Sequence, residues 1–110
     1  MNQLLKIKSV YFLGIGGIGM SALARYFNVR GVQVSGYDKT PTALTHKLIK
    51  EGIAITFDDN VALVPKEVDL VVYTPAIPQD HKGFNFYKDG NYRLLKRSEV
   101  LGLISAEHYT

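Results

Sequence analysis

Three glycines with the spacing of a phosphate-binding loop lie near the start of the chain, at Gly14, Gly16 and Gly19. They follow an apolar run at residues 10–13 and precede a segment of small residues that begins near Ile18. In such loops the first glycine permits a tight turn, the second lets a phosphate approach the backbone, and the third lets helix and strand pack closely. The helix start then offers unpaired N–H groups and a partial positive charge. The pattern predicts a site for a dinucleotide or a nucleoside diphosphate.

Four polar side chains are further candidates for contacts with this ligand. Asp38 ends the second predicted strand, where such folds place an acid that accepts from ribose hydroxyls. It can equally accept from the imide N–H of a uracil, or cap the following helix. Lys39 is either a ligand contact or a surface lysine. Thr74 is either a ligand contact or an ordinary threonine at the end of a strand. Arg97 is either an anion contact or a surface ion-pairing residue.

The sequence shows no catalytic constellation and no metal site. It lacks the triphosphate-binding loop, the nucleophile elbow and the His-Glu-x-x-His motif. His46, His81 and His108 lie apart in sequence and are predicted to be surface or partly packed residues. The absence of cysteine excludes disulfides and thiolate metal sites. We therefore predict a domain that binds its ligand, does not catalyse alone, and contains neither metal nor cofactor.

Length and charge narrow the class of protein. A chain of 110 residues forms one domain but is short for a complete nucleotide-dependent enzyme, which predicts one domain of something larger. The net charge of +3 suits an anionic small molecule, and no concentrated basic stripe favours nucleic acid. Without a signal peptide or long apolar run, the chain is predicted to be soluble and cytoplasmic, without membrane contact.

Alternating strand and helix signals predict the elements that position the candidate residues. Strands are predicted at residues 10–13, 32–37, 53–57, 68–73 and 92–96. Helices are predicted at residues 20–30, from 40 to about 51 and from about 81 to 88. The last helix is predicted to run from its cap at Ser98 through residue 104. Their predicted caps are Thr40, Asp80 and Ser98 for the second, third and fourth helices, with one helical turn before Pro65.

With right-handed crossovers, these elements fold as a Rossmann-like α/β domain. The prediction is an open parallel five-stranded sheet in the order 3-2-1-4-5, with helices on both faces. Ligands of such sheets bind outside the carboxyl ends of the strands, near the switch point between strands 1 and 4. That rule gathers on one edge the glycine loop, Asp38, residues 57–59, residues 74–77 and Arg97.

Four segments resemble, in order and spacing, the N-terminal domain of the UDP-N-acetylmuramate:L-alanine ligases. They are FLGIGGIGMSALA at residues 12–24, VSGYD at 34–38, VVYTPAI at 71–77 and LKRSEVL at 95–101. The similarity covers nearly the whole chain. The block GIGGIGM is more specific than the dinucleotide fingerprint it contains, because its doubled central glycine and following methionine separate it from most nicotinamide enzymes.

The resemblance implies one part of a three-domain enzyme of peptidoglycan synthesis. Such ligases join L-alanine to the lactyl carboxylate of UDP-N-acetylmuramate through an acyl phosphate, consuming ATP with magnesium. Residues 1–110 would be the single domain that binds UDP-N-acetylmuramate. The central domain, with ATP, magnesium and the catalytic lysine and histidine, would begin just after Thr110, so this chain alone is expected to be inactive.

The resemblance also implies roles for individual positions. Residues expected against the diphosphate are Gly16, Gly17, Ile18, Gly19 and Met20. Residues expected against the uridine and sugar are Asp38, Thr74, Ala76, Ile77 and Arg97. Further candidates are Lys39, Phe57, Asp59 and Pro75. Two of these depart from the family pattern, since Asp59 stands where a histidine is frequent and Pro75 where a second serine is frequent.

A regulatory domain that senses NAD(H), of the kind attached to ion-transport proteins, is the alternative from a different class. Its phosphate loop would have the same spacing of glycines. A dehydrogenase is a third hypothesis, which the lack of hydride-transfer residues and of a substrate domain disfavours.

Overall fold

The computed structural model describes residues 7–108. Five parallel strands form one sheet in the order β3-β2-β1-β4-β5, which confirms the predicted fold. The strands are β1 (Ser9–Leu13), β2 (Gln33–Tyr37), β3 (Ala54–Thr56), β4 (Leu70–Tyr73) and β5 (Leu94–Lys96). Leu13 is in register with Tyr37 on one side and Tyr73 on the other, so the glycine loop leaves the sheet between the ends of β2 and β4.

Four helices connect or follow the strands. They are α1 (Ile18–Asn28), α2 (Ala43–Lys50), α3 (Lys82–Asp89) and α4 (Arg97–His108). A single 3₁₀ turn at Val61–Leu63 confirms the predicted turn before Pro65. Within residues 7–108, none of the helices has the length and apolarity that crossing a membrane requires.

The central strand shows why the sheet needs helices on both faces. Val10 and Phe12 of β1 belong to one core cluster, and Tyr11 and Leu13 belong to another on the opposite face. All four side chains are buried, as is typical of a parallel strand covered on both sides. Helices α1, α2 and α4 contribute to the first cluster, while α3 contributes Tyr87 to the second.

The predicted start of α2 is wrong by two residues. Its N-cap is Thr42, whose hydroxyl accepts from the N–H of Thr45 at 3.2 Å. The hydroxyl of Thr45 in turn accepts from the N–H of Thr42 at 2.8 Å, which completes a reciprocal capping box. Thr40 lies outside the helix because its N–H is bonded to Asp38, in a turn that precedes the helix.

The predicted caps of α3 and α4 are also wrong. His81, not Asp80, caps α3, since its Nδ1 accepts from the N–H of Phe84 at 3.1 Å. Helix α4 begins at Arg97, directly after β5, and Ser98 lies inside it. Glu99 accepts from the N–H of Lys96 at 2.9 Å and so satisfies a donor just before the helix. The preference for serine, threonine, aspartate or asparagine at the N-cap does not identify the side chains that satisfy these donors.

Candidate functional site

A cavity of about 680 Å³ opens at the carboxyl edge of the sheet, beside the glycine loop. Its wall combines the glycine loop, the end of β2, the segment after β4 and the start of α3. The sequence-predicted site residues that line it are Gly17, Met20, Asp38, Lys39, Asp59, Thr74, Ala76 and Ile77. The structure therefore brings together most of the candidates from four separate segments of the chain.

Other candidates lie outside the wall of this cavity. Ile18 is on the surface, with 86% of its area exposed, and Phe57 is half-buried. Pro75 lines an adjacent second cavity of about 510 Å³, which shares Thr74 and Ile77 with the first. The remaining three, Gly16, Gly19 and Arg97, lie close to cavity residues through the contacts described below.

The first glycine makes the turn that the sequence predicts for it. Gly14 has a φ of +93°, a left-handed conformation that favours glycine. The N–H groups of Gly14 and Ile15 both donate to the carbonyl of Tyr37, at 2.8 and 3.0 Å. These bonds hold the start of the glycine loop against the end of β2.

The N-terminus of α1 has the character of an anion site. Its N-cap is Gly17, which has no side chain to cap the helix, and the first turn carries no acid. Ser21 is the first residue of α1 whose N–H donates to the carbonyl four residues earlier, with 2.8 Å between its nitrogen and the carbonyl oxygen of Gly17. Within the described part of the chain, the N–H groups of residues 18–20 have no acceptor. Such unpaired donors and the helix dipole favour a bound anion.

Arg97 adds a full positive charge at this helix end. A β-carbon built on Gly19 would lie 3.0 Å from Nη1 of Arg97 and 3.1 Å from its Cζ. The guanidinium therefore fills the space that any larger side chain at residue 19 would need. No acid of the described chain pairs with Arg97 in an ion pair. A phosphate at the start of α1 would meet both the amides and this guanidinium.

The carboxylate of Asp38 accepts hydrogen bonds from two separate segments of backbone. Its Oδ2 accepts from the N–H of Gly16 at 2.7 Å, and its Oδ1 accepts from the N–H of Thr40 at 3.1 Å. The carboxylate thus joins the glycine loop to the turn before α2. Contact between Asp38 and a ligand stays a prediction, which its position on the cavity wall favours.

His81 is a cavity residue that the sequence analysis missed. It was predicted to be surface or partly packed, but only 6% of its area is exposed. Its ring meets the ring of Tyr37 edge-on, with the centroids 4.7 Å apart. Burial lowers the pKa of His81, while the nearby Asp59 and Asp80 act in the opposite direction. Its Nε2 has no partner among the described residues. A histidine is an uncommon helix cap, so the sequence held little signal for this role.

Asp59 also has a structural role that the sequence did not indicate. Its carboxylate accepts from the N–H of Lys82 at 2.8 Å and from the N–H of Gly83 at 3.0 Å. It therefore satisfies two donors at the start of α3 from a different segment of the chain. Burial, followed by the charges of Asp59 and Asp38, raises the pKa of Tyr37, which lines the same cavity.

Other cavity residues outside the sequence-predicted set come from the segment between β4 and α3 and from the first residue of α3. They are Pro78 and Asp80 in the segment and Lys82 in the helix. Among residues 7–108, no group of three or more histidine or acidic side chains is arranged to bind a metal ion.

Comparison with known proteins places the chain in a family. The profile described as Mur ligase family, catalytic domain, matches residues 9–109. A UDP-N-acetylmuramate--L-alanine ligase from Flavobacterium psychrophilum is 54% identical over 113 residues, covering 99% of this chain and 25% of that protein. The ligase of the same name from Porphyromonas gingivalis (strain ATCC 33277) is 51% identical over 104 residues, covering 90% of this chain and 23% of that protein.

Solved structures show the same fold. The crystal structure of a UDP-N-acetylmuramate-alanine ligase from Thermotoga maritima matches with a TM-score of 0.80 and 31% identity. That match covers 84% of this chain and 21% of the Thermotoga chain. A murein peptide ligase from Psychrobacter arcticus matches with a TM-score of 0.72 and 25% identity, covering 79% of this chain and 18% of its own. The chain spans about a quarter of the length of the curated relatives it matches. Its profile match and its identity to these relatives show that the chain belongs to the Mur ligase family.

Proposed function

We propose that this chain is the UDP-N-acetylmuramate-binding domain of an ATP-dependent ligase that adds L-alanine to that substrate. The observation that carries the proposal is the set of unpaired N–H groups at the start of α1, with the guanidinium of Arg97 beside Gly19, next to a cavity of about 680 Å³. A nucleoside diphosphate joined to a sugar has the anionic centre and the extended shape that this arrangement suits. The similarity to ligases named for UDP-N-acetylmuramate supports the choice of ligand.

In this proposal the ligand's diphosphate lies at the glycine loop and the start of α1. The N–H groups of residues 18–20 and the guanidinium of Arg97 bind its oxygens, with Gly17 and Met20 on the cavity side. These donors bind the phosphate oxygens directly, because amides and a guanidinium both donate to anionic oxygen.

The nucleoside and sugar lie along the rest of the cavity. Asp38 binds the ribose or the uracil. The other residues of the same cavity that contact the nucleoside or sugar are Lys39, Asp59, Thr74, Ala76 and Ile77. Phe57 and Pro75 lie outside this cavity, and we assign them no contact with the ligand.

The chain's part in the reaction is to bind and orient the substrate. In the part of the chain that the structure describes, no group of three or more histidine or acidic side chains could hold a metal ion. ATP would supply the phosphoryl group that activates the substrate carboxylate, and magnesium would accompany it, in the remaining domains of a three-domain cytoplasmic ligase of peptidoglycan synthesis. Residues 1–110 would be one domain of that enzyme, inactive alone.

Isothermal titration calorimetry with UDP-N-acetylmuramate, UDP and NADH in parallel tests the proposal. Saturable binding of both uridine compounds without binding of NADH is the expected result. Binding of NADH alone would contradict the proposal and favour a domain that senses NAD(H). Failure of all three ligands to bind at millimolar concentration would remove the proposal for this chain.

A further inference from the structure

The space beside the second glycine of the loop is already occupied by an anion. A β-carbon built on Gly16 would lie 2.6 Å from Oδ2 of Asp38, 2.9 Å from its Cγ and 3.0 Å from Cγ2 of Thr45. In a dinucleotide-binding loop, the second glycine is small so that the pyrophosphate can approach the backbone there. Here the small residue makes room for a carboxylate of the same chain instead.

The amide of Gly16 is also occupied. Its N–H donates to Oδ2 of Asp38 at 2.7 Å, a short bond of the charge-assisted kind. A phosphate at this amide would have to displace a carboxylate from its donor. It would also have to approach that carboxylate closely, and two anions at such a distance repel each other.

The carboxylate is held in place from the other side. Oδ1 of Asp38 accepts from the N–H of Thr40 at 3.1 Å, so both oxygens are bonded to the backbone. Beneath it, the buried Thr45 is engaged in the capping box of α2 with Thr42. The position of Asp38 is therefore set by the start of α2 as well as by the glycine loop.

We propose that Asp38 is a specificity determinant that sets where on the loop a ligand's phosphates bind. By holding the N–H of Gly16, it closes the second-glycine position and leaves the donors of residues 18–20 and Arg97 as the phosphate site. The ligand class that fits is a nucleoside diphosphate whose phosphates bind at the helix start. This inference rests on the proposed function, since it concerns the same site.

Amide chemical shifts measure this directly. In ¹⁵N-labelled protein titrated with UDP and, separately, with inorganic pyrophosphate, the amides of residues 18–20 shift on binding and that of Gly16 stays in place. A Gly16 shift as large as that of Gly19 in the unmodified protein overturns the proposal. This measurement needs no variant and therefore does not depend on whether a substituted chain folds.

The variant Asp38→Asn and a matched control, Asp58→Asn, supply the second arm. Both remove one negative charge, but the Asp58 side chain lies away from Gly16 and outside the cavity wall. We expect Asp38→Asn to bind pyrophosphate more tightly than the unmodified protein, by roughly three- to tenfold, as for unit charges about 4 Å apart in water. The neutral carbonyl oxygen of asparagine holds the Gly16 N–H less strongly than the carboxylate does, so the Gly16 amide then shifts on binding, and Asp58→Asn shows neither effect.

The outcomes separate this inference from the proposed function. Equal or weaker pyrophosphate binding by Asp38→Asn, with the variant folded, overturns the assignment of Asp38. A further outcome is that none of the three proteins binds UDP while the expected pyrophosphate affinities and amide shifts are still observed. That result contradicts the proposed binding of a nucleotide and supports the assignment of Asp38. The decisive readout is the gain in affinity together with a new shift of the Gly16 amide, because removal of a nearby negative charge alone would raise the affinity without exposing that amide.

Discussion

The guanidinium of Arg97 lies in the space beside Gly19, so that a β-carbon at residue 19 would be 3.0 Å from Nη1. The two residues belong to the first and last helices of the fold, and each stands in the first turn of its helix. Parallel strands bring them together, because β1 and β5 end at the same edge of one sheet. A cation thereby lies at a helix start that carries no acid of its own.

Replacing Arg97 with glutamine should weaken UDP binding by about tenfold, because a charge-assisted hydrogen bond is lost. The dependence of the affinity on salt should also decrease, since one cation fewer faces the phosphates. Titration calorimetry at two salt concentrations measures both effects. The matched control is Arg30→Gln, which removes the same charge at the far end of α1, where Arg30 lies over the ring of Tyr26. Equal losses in both variants would contradict a local role for Arg97.

Gly36 is required for packing between the sheet and the glycine loop. A β-carbon there would lie 2.7 Å from Cδ1 of Ile15 and 2.9 Å from the carbonyl of Phe12. Gly36→Ala should therefore lower the free energy of unfolding by about 1 to 3 kcal/mol, the usual cost of overpacking. Gly102→Ala is the control, since a β-carbon at residue 102 would have nothing within 4 Å and alanine should raise stability by about 0.5 to 1 kcal/mol. Urea unfolding measures both values, and changes of the same sign would contradict this role of Gly36.

The capping box at the start of α2 makes Thr42 more important than Thr40. Thr42→Ala removes the hydroxyl that accepts from Thr45 and should lower the free energy of unfolding by about 1 kcal/mol. Thr40→Ala should cost much less, because only the backbone N–H of Thr40 is bonded, to Asp38. Thermal or urea unfolding of the two variants decides between them. A larger loss at Thr40 would restore the cap predicted from the sequence.

Burial of His81 should make the stability of the protein depend on pH. Its pKa is lower in the folded protein than its ordinary value of 6.5, so the unfolded chain binds the proton first as pH falls. The stabilisation is therefore present above pH 6.5 and is lost as pH decreases from there towards the folded pKa. Asp59, Asp80 and Tyr37 are the ionisable groups around the ring, and the two acids reduce the effect.

The variant His81→Asn isolates this contribution. Asparagine can still accept the N–H of Phe84, because it is a preferred N-cap, but it does not titrate. We expect the free energy of unfolding of the unmodified protein to fall more steeply than that of the variant between about pH 7 and pH 5. Urea unfolding at a series of pH values gives the two slopes. Parallel curves would show that another group is responsible.

Much of the fold could be predicted because its signals are local. The apolar run of β1, the glycines after it and the helix that follows form one continuous pattern, and right-handed crossovers then leave few possible strand orders. The predicted bounds were least reliable at caps. Thr40, Asp80 and Ser98 each fit the cap preference, but the first turn of a helix is decided by which donors other side chains satisfy. Thr42 and His81 satisfy first-turn donors of α2 and α3 instead, and Glu99 satisfies the N–H of Lys96 just before α4.

The sequence by itself determined the Rossmann-like sheet, the glycine turn at Gly14 and, through the block at residues 14–20, the family, because each depends on residues close together in the chain. Only the tertiary structure decided that Asp38 bonds to Gly16, that His81 is buried beside Tyr37 and that Arg97 fills the space beside Gly19. These contacts join segments far apart in the chain. Their geometry depends on how whole elements pack, and no local pattern of residue types encodes which side chain reaches which donor.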